Sequence, residues 1–171
     1  MYDIKYDSKS ETVQLIYPNG KTETLSDNAP TEPLKSADNK KAVYISPLEW
    51  EERGSLYLVN LETGKKEVLV EPDLMIDHIP KNVIWCNNDY VFTIIGYRHG
   101  TVAVGGNIYL VNVRTKERKP ITTYDPYVQV TDIFIKDDFL SYKGIRYIDD
   151  TMNESRIYEN NIPLARIFDK E

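Results

Sequence analysis

Short apolar runs rich in Val, Ile, Tyr and Thr, each closed by Gly, Pro, Asn or Asp, follow one another from Val13 to Ile162. Such runs predict β-strands. No stretch sustains a 3.6-residue apolar period, so almost no helix is expected. The segment Ser55 to Thr63 (SLYLVNLET) returns at Asn107 to Thr115 (NIYLVNVRT), a shift of 52 residues. A weaker copy, Arg156 to Asn161, lies 49 residues further on. Val13 to Tyr17, with its turn Pro18 to Lys21, stands 44 residues before Tyr57 to Lys65.

Around each repeated strand (c) the same reading places three more, labelled a, b and d. The a and b strands are Leu34 to Ala37 and Ala42 to Ser46, then Val83 to Cys86 and Tyr90 to Gly96, then Thr131 to Ile135 and Phe139 to Lys143. Glu67 to Val70 and Lys119 to Thr122 serve as d, and the tail from Ile162 to Glu171, through IPLARIF, is expected to form a last strand. Along Leu56 to Val59 both alternating sets are apolar, so each sheet has two faces to hide and cannot fold alone. Similar meanders packed face to face about an axis bury both. The expected fold is all-β and propeller-like, with four antiparallel blades at about 2–26, 33–70, 79–122 and 128–168 in one domain, the first incomplete. A β-sandwich is the alternative, but it predicts no repeat of that length.

Composition narrows the function classes. Asp and Glu number 27 against 21 Lys and Arg, a net charge of −6, which argues against nucleic acid or anionic lipid as partner. The single cysteine, Cys86, makes no internal disulfide or thiolate metal site by itself, and a small buried hydrophobe is its expected role. No apolar run reaches the length of a membrane span. Residues 1 to 10 have no apolar h-region, which leaves a cytoplasmic protein or one whose leader has been removed.

The stretch Pro33 to Pro47 (PLKSADNKKAVYISP), followed by Gly54 to Lys65 (GSLYLVNLETGK), resembles the repeat of TolB-like β-propellers. In that family a tryptophan-serine-proline-aspartate-glycine turn leads into an apolar strand and then into one written like "LYLVNLETG". The likeness extends over 83 to 122, where Trp85 to Asp89 stands for the turn, although the turn glycine is missing. It implies a propeller fold and transfers no catalytic residue. The chain is also similar to small bacterial proteins, some of them lipoproteins, which favours an extracytoplasmic location.

In an antiparallel meander the a-b and c-d turns share one face of the blades, and the b-c loops and d-to-a links share the other. The turns are tight, whereas the b-c connections Ser46 to Gly54, Gly96 to Gly106 and Gly144 to Ser155 are long. Loops lengthened on one face of a rigid scaffold are where binding residues gather. They carry Glu49, Trp50, Tyr97, Arg98, His99, Arg146, Tyr147, Asp149 and Asp150, a mix of aromatic surface and fixed charge suited to a protein partner or small polar ligand. The links add Thr31, Glu32, Asp77, His78, Thr131 and Asp132, expected around the axial mouth.

Asp77, His78 and His99 are the only material for imidazole acid-base or metal chemistry, and no ligand spacing supports a metal. No G-x-S-x-G element exists. Gly100 to Gly106 suggests a phosphate loop only superficially, lacking the following helix and Lys-Ser/Thr. The sequence therefore points to a non-enzymatic binding module with no cofactor. The alternatives are a hydrolase or lyase at the axial mouth using Asp77, His78 and Asp132, and a fragment that self-associates as a dimer through a sheet edge.

Overall fold

The computed structural model describes residues 1–169. Fourteen strands form four antiparallel meanders in chain order. Blade 1 is β1 (Asp3–Asp7), β2 (Thr12–Ile16) and β3 (Thr22–Ser26). Blade 2 is β4 (Leu34–Lys35), β5 (Lys41–Ser46), β6 (Ser55–Asn60) and β7 (Lys66–Val70). Blade 3 is β8 (His78–Trp85), β9 (Tyr90–Tyr97), β10 (Asn107–Asn112) and β11 (Arg118–Pro120). Blade 4 is β12 (Val128–Lys136), β13 (Phe139–Tyr147) and β14 (Ser155–Pro163).

The repeat exists because its asparagine builds the c-d turn. Asn60 Oδ1 accepts the amides of Glu62 at 2.8 Å and Thr63 at 3.1 Å, and Asn112 Oδ1 accepts those of Arg114 at 2.9 Å and Thr115 at 3.0 Å. Each turn closes through a left-handed residue, Gly64 (φ 77°) or Lys116 (φ 64°), whose amide reaches the same asparagine's carbonyl.

Three apolar cores lie between successive blades. Ile4, Val13 and Leu15 of blade 1 pack on Ala42, Tyr44 and Val59. Val43, Ile45, Leu56 and Leu58, on the opposite face of blade 2, pack on Val83, Val91, Ile95 and Val111 of blade 3. Phe92, Ile94, Ile108 and Leu110 then meet Val130, Ile133, Leu140 and Tyr142 of blade 4. Among the described residues no core joins blade 4 to blade 1. Blades 2 and 3 are thus apolar on both faces, as the alternation along Leu56 to Val59 requires.

Two expectations are corrected. The tail does not form a strand from Ile162 onward: Pro163 ends β14, and Leu164–Ile167 forms one short helical turn, α1. Ile167 is drawn into the core between blades 3 and 4, 6% exposed, and Phe168 packs edge-on against Tyr90. Burial of Ile167, with the contact of Phe168 on Tyr90, outweighs strand pairing, so blade 4, like blade 1, has three strands. Lys170 and Glu171 lie outside the described residues. The expected loop 144–155 is also shorter, because β13 runs to Tyr147 and only 148–154 connects it to β14.

Candidate functional site

The b-c connections 47–54 and 98–106 and the link 71–77 meet through a network of polar contacts, and Gln129 ties 98–106 to the link 121–127, whereas the hydrogen bonds of 148–154 close on that loop itself. In the link before blade 3, Asp73 and His78 exchange backbone hydrogen bonds at 2.8 and 3.1 Å, and Asp73 Oδ1 accepts the amides of Met75 at 2.9 Å and Ile76 at 3.3 Å. That turn pushes Leu74, Met75 and Ile76 outward, with Met75 93% exposed. Asp77 follows at φ 55°, a conformation that aspartate tolerates better than most residues.

Asp77 is the hub. Its Oδ1 accepts Arg98 Nε at 2.7 Å and lies 3.7 Å from Arg53 Nε, while Oδ2 lies 2.8 Å from His99 Nε2. The Asp77 carbonyl accepts the Arg98 amide at 3.0 Å. Arg98 also donates through Nη1 to the Glu51 carbonyl, which joins the loops of blades 2 and 3. The hydrogen bond from Arg98 holds the Asp77 carboxyl below the usual carboxylate range. Glu51 Oε1 accepts the Gly100 amide at 3.2 Å and lies 3.8 Å from His99 Nδ1. The Trp50 side chain and that amide hold the Glu51 carboxyl low as well. His99 Nε2 sits 2.6 Å from Arg98 Nη2 and 2.8 Å from Asp77 Oδ2, so a deprotonated nitrogen accepts from the arginine and a protonated one donates to the aspartate.

Two cavities flank the hub. One of 370 Å³ is lined by Leu48, Trp50, Ile79, Thr101 and Val104, with Lys81 at its wall. Lys81 Nζ donates to the carbonyls of Ala103 at 2.8 Å and Gly105 at 2.9 Å, and burial pushes its pKa down to about 8. The other, of 270 Å³, lies at the junction of blades 3 and 4 beside His78, Tyr97 and Tyr124.

Of the residues singled out from sequence, the structure brings together Trp50, Asp77, Tyr97, Arg98 and His99, with Tyr97 edge-on to His99 at 5.7 Å. His78 opposes Tyr97 across the β8–β9 ladder and lines the smaller cavity. Three others sit elsewhere. Asp132 lies within β12, just past a bulge, where Thr131 Oγ1 donates to it at 2.9 Å and Lys143 opposes it. Arg146 is a strand residue stacked 5.0 Å from the Tyr158 ring centre. Tyr147 is likewise on β13, and its hydroxyl braces the neighbouring loop by donating to the Val102 carbonyl at 3.0 Å. Among the described residues no hydrogen bond or ion pair links Asp77, His78 and Asp132. No group of three or more His, Cys, Asp or Glu among them is disposed to hold a metal. Burial pushes the Cys86 thiol up to about 11, which leaves it protonated.

Sequence reasoning missed Glu51, Arg53 and Lys81. Lys81 had a signal, a lone charge inside the apolar strand HIPKNVIW. Glu51 and Arg53 had none beyond their loop.

Similarity to solved structures supports the fold. A conserved protein named as a lipoprotein, from Clostridium novyi NT, is 25% identical with a TM-score of 0.73 over 96% of both chains. The β-propeller domain of the trilobed protease of Pyrococcus furiosus, described as having an open velcro topology, gives a TM-score of 0.52 at 12% identity, over 93% of this chain and 51% of that one. A chain of a nidogen/laminin complex gives 0.53 at 11% identity, over 95% of this chain and 59% of that one. The likeness to propellers and to lipoproteins expected from the repeats is therefore found. No curated protein matches. A family model described as "Domain of unknown function (DUF4652)" matches residues 49–163, most of the chain, and the protein belongs to that family.

Proposed function

We propose that the protein is a non-enzymatic binding module that docks a protein partner on the long-loop face. One observation carries this reading. Of the 16 exposed large apolar side chains among the described residues, nine (Leu48, Trp50, Leu74, Met75, Ile76, Tyr97, Val104, Tyr127 and Ile148) sit on the b-c connections, the d-to-a links or the strand end entering them. Apolar side chains gathered on one face and rimmed by charge are characteristic of interaction surfaces.

Charge defines the partner further. The connections of that face (8–11, 27–33, 47–54, 71–77, 98–106, 121–127 and 148–154) hold thirteen Asp and Glu against three Lys and Arg, although the whole chain carries only −6. The partner therefore presents apolar side chains bordered by Lys or Arg. Likeness to a protein named as a lipoprotein supports an extracytoplasmic setting for this encounter.

The test is site-specific photo-crosslinking in cells of the source organism, with the crosslinker at position 75 and, as control, at position 157. A discrete adduct from position 75 only is expected, reduced by more than about tenfold in a Trp50→Ser, Leu74→Ser variant. Equal labelling from both positions overturns the reading.

A further inference from the structure

A cleft of 270 Å³ lies between blades 3 and 4. Ile95, Ala103, Pro126 and Val128 make it apolar, and Gly96, Gly105 and Gly106 contribute bare backbone. Those glycines are obligatory: a Cβ at Gly96 would come 2.0 Å from the Gly105 oxygen, and one at Gly105 2.1 Å from the Val130 oxygen. Close backbone approach leaves a wall without side chains, against which a flat ring lies well.

The polar groups around the cleft are almost all spent in fixing its shape. Gln129 Oε1 accepts the Gly105 amide at 3.0 Å, and its Nε2 donates to the carbonyls of Val102 at 2.7 Å and Pro126 at 3.0 Å. Asn107 Oδ1 accepts from Thr122 Oγ1 at 2.8 Å and the Tyr124 amide at 2.9 Å, while Nδ2 donates to the Tyr124 carbonyl at 3.0 Å. The Tyr124 hydroxyl is shared with Tyr142 at 2.7 Å and Tyr158 at 2.9 Å. Asp125 Oδ1 accepts the Tyr127 amide at 2.9 Å. The half-buried His78 imidazole makes no side-chain hydrogen bond among the described residues. Tyr97, the other lining side chain without a hydrogen-bond partner among the described residues, is exposed, so the half-buried His78 imidazole is the open group deeper in the cleft. An apolar cleft with few open polar groups is the usual composition of a small-ligand site.

Volume limits the ligand. Pockets for drug-sized molecules run from about 300 to 1,000 Å³, so this cleft takes a single ring rather than a cofactor. An ionised ligand would need a buried countercharge, and the one carboxylate of the lining, Asp125, is exposed and accepts the Tyr127 amide. We infer that the cleft bounded by His78, Tyr97, Tyr124 and Pro126 binds one uncharged aromatic ring bearing a hydroxyl, with His78 hydrogen-bonded to that hydroxyl. A free phenol and the side chain of a tyrosine share this chemistry. Burial keeps the His78 imidazole deprotonated more readily than an exposed one, which suits a neutral hydroxyl.

The test is titration of the intact protein with p-cresol, toluene and N-acetyl-L-tyrosinamide, followed through backbone amide NMR shifts of Gly96, Gly105, Gly106 and Gln129. Saturable shifts with a p-cresol Kd of about 1 mM are expected, with toluene weaker by about fivefold, the worth of one hydrogen bond. His78→Phe should erase the preference for p-cresol over toluene and retain ring binding. Val128→Phe, which fills the cleft, should abolish both. Saturation by the tyrosine amide as well as by p-cresol assigns the ring to a side chain; saturation by p-cresol only assigns it to a free molecule. Absence of shifts at these amides up to about 10 mM, or equal binding of p-cresol and toluene to the native chain, overturns the inference. None of these outcomes bears on docking at Trp50 and Met75, so the two readings fail separately.

Discussion

Blades 2 and 3 differ from blades 1 and 4 in strand number, four against three, and in the number of faces they bury. In β5, Ala42 and Tyr44 face blade 1 while Val43 and Ile45 face blade 3, and all four are at most 1% exposed. In blade 4 the inward Leu140 and Tyr142 are buried, but the outward rows read Phe134, Ser141, Asn161 and Asp132, Lys143, Glu159. Blade 1 likewise turns Lys5, Gln14 and Thr24 outward. A sheet that expects another blade on each side must be apolar on both, whereas one facing water alternates. The outward rows of blades 1 and 4 are therefore those of solvent-facing sheets, and among the described residues the four sheets form an open series with three cores.

This contrast fixes the largest expected effect. Phe92, fully buried between blades 3 and 4, should cost about 3–5 kcal/mol on Phe92→Ala, and roughly 10 °C in Tm. Ile157, 81% exposed on the outer face of blade 4, should change stability by no more than about 0.5 kcal/mol on Ile157→Ala. Urea unfolding of both variants measures the difference. Comparable losses would mean that blade 4 is covered in solution and that the series is not open.

The backbone joints come next. Gly105→Ala places a Cβ against the Val130 carbonyl where blade 3 meets blade 4, and overpacking of that kind costs about 1–3 kcal/mol. Gly100, at the exposed tip of the same loop, has open space around its Cβ position, so Gly100→Ala meets only its φ of 86°. Chemical denaturation should rank Gly105→Ala as the more damaging change; the reverse order would show that the loop backbone is not docked on β12.

Where the chain repeats itself, the fold was legible. Ser55–Asn60 and Asn107–Asn112 are strands with the boundaries that the repeat implies, because the turn asparagine and the glycine before each strand are local signals. Where tertiary burial decides, it was not. IPLARIF has strand composition, yet the chain end is taken into the blade 3–4 core by Ile167. The site was half legible for the same reason. Trp50, Arg98 and His99 announce themselves as exposed-loop chemistry. That Arg53 closes on Asp77 and Glu51 on His99, or that Lys81 is half-buried beneath a loop more than twenty residues away, depends on how two blades are juxtaposed, which no local pattern encodes.

Lys81 offers a sharper comparison between central and terminal positions. Its folded pKa, pushed to about 8, lies below the ordinary 10.5, so the unfolded chain binds more protons between those values and stability should rise with pH across that window. Lys81→Met should remove this rise, whereas replacement of Lys143, on the outer face of blade 4, should leave it intact. Thermal melts of the three proteins from pH 7 to about 10 read it directly, and a native profile parallel to that of Lys81→Met would place the amine in water rather than under the loop.

The smallest effect concerns acid. The Asp77 carboxyl is depressed first by its hydrogen bond to Arg98, so its contribution is fully present above the unfolded pKa of 3.8 and disappears as pH falls through the lower folded value. The stability gap between the native protein and Asp77→Asn should therefore be constant near neutrality and close below about pH 4. The side chain is 20% exposed, so high salt should narrow the gap without removing it. Lys143 and Glu159 on blade 4, 3.9 Å apart and both more than half exposed, give the comparison: Glu159→Gln should alter stability by no more than about 0.5 kcal/mol. If Asp77→Asn is as silent as Glu159→Gln at neutral pH, the loops of blades 2 and 3 are held together by packing and not by their shared carboxylate.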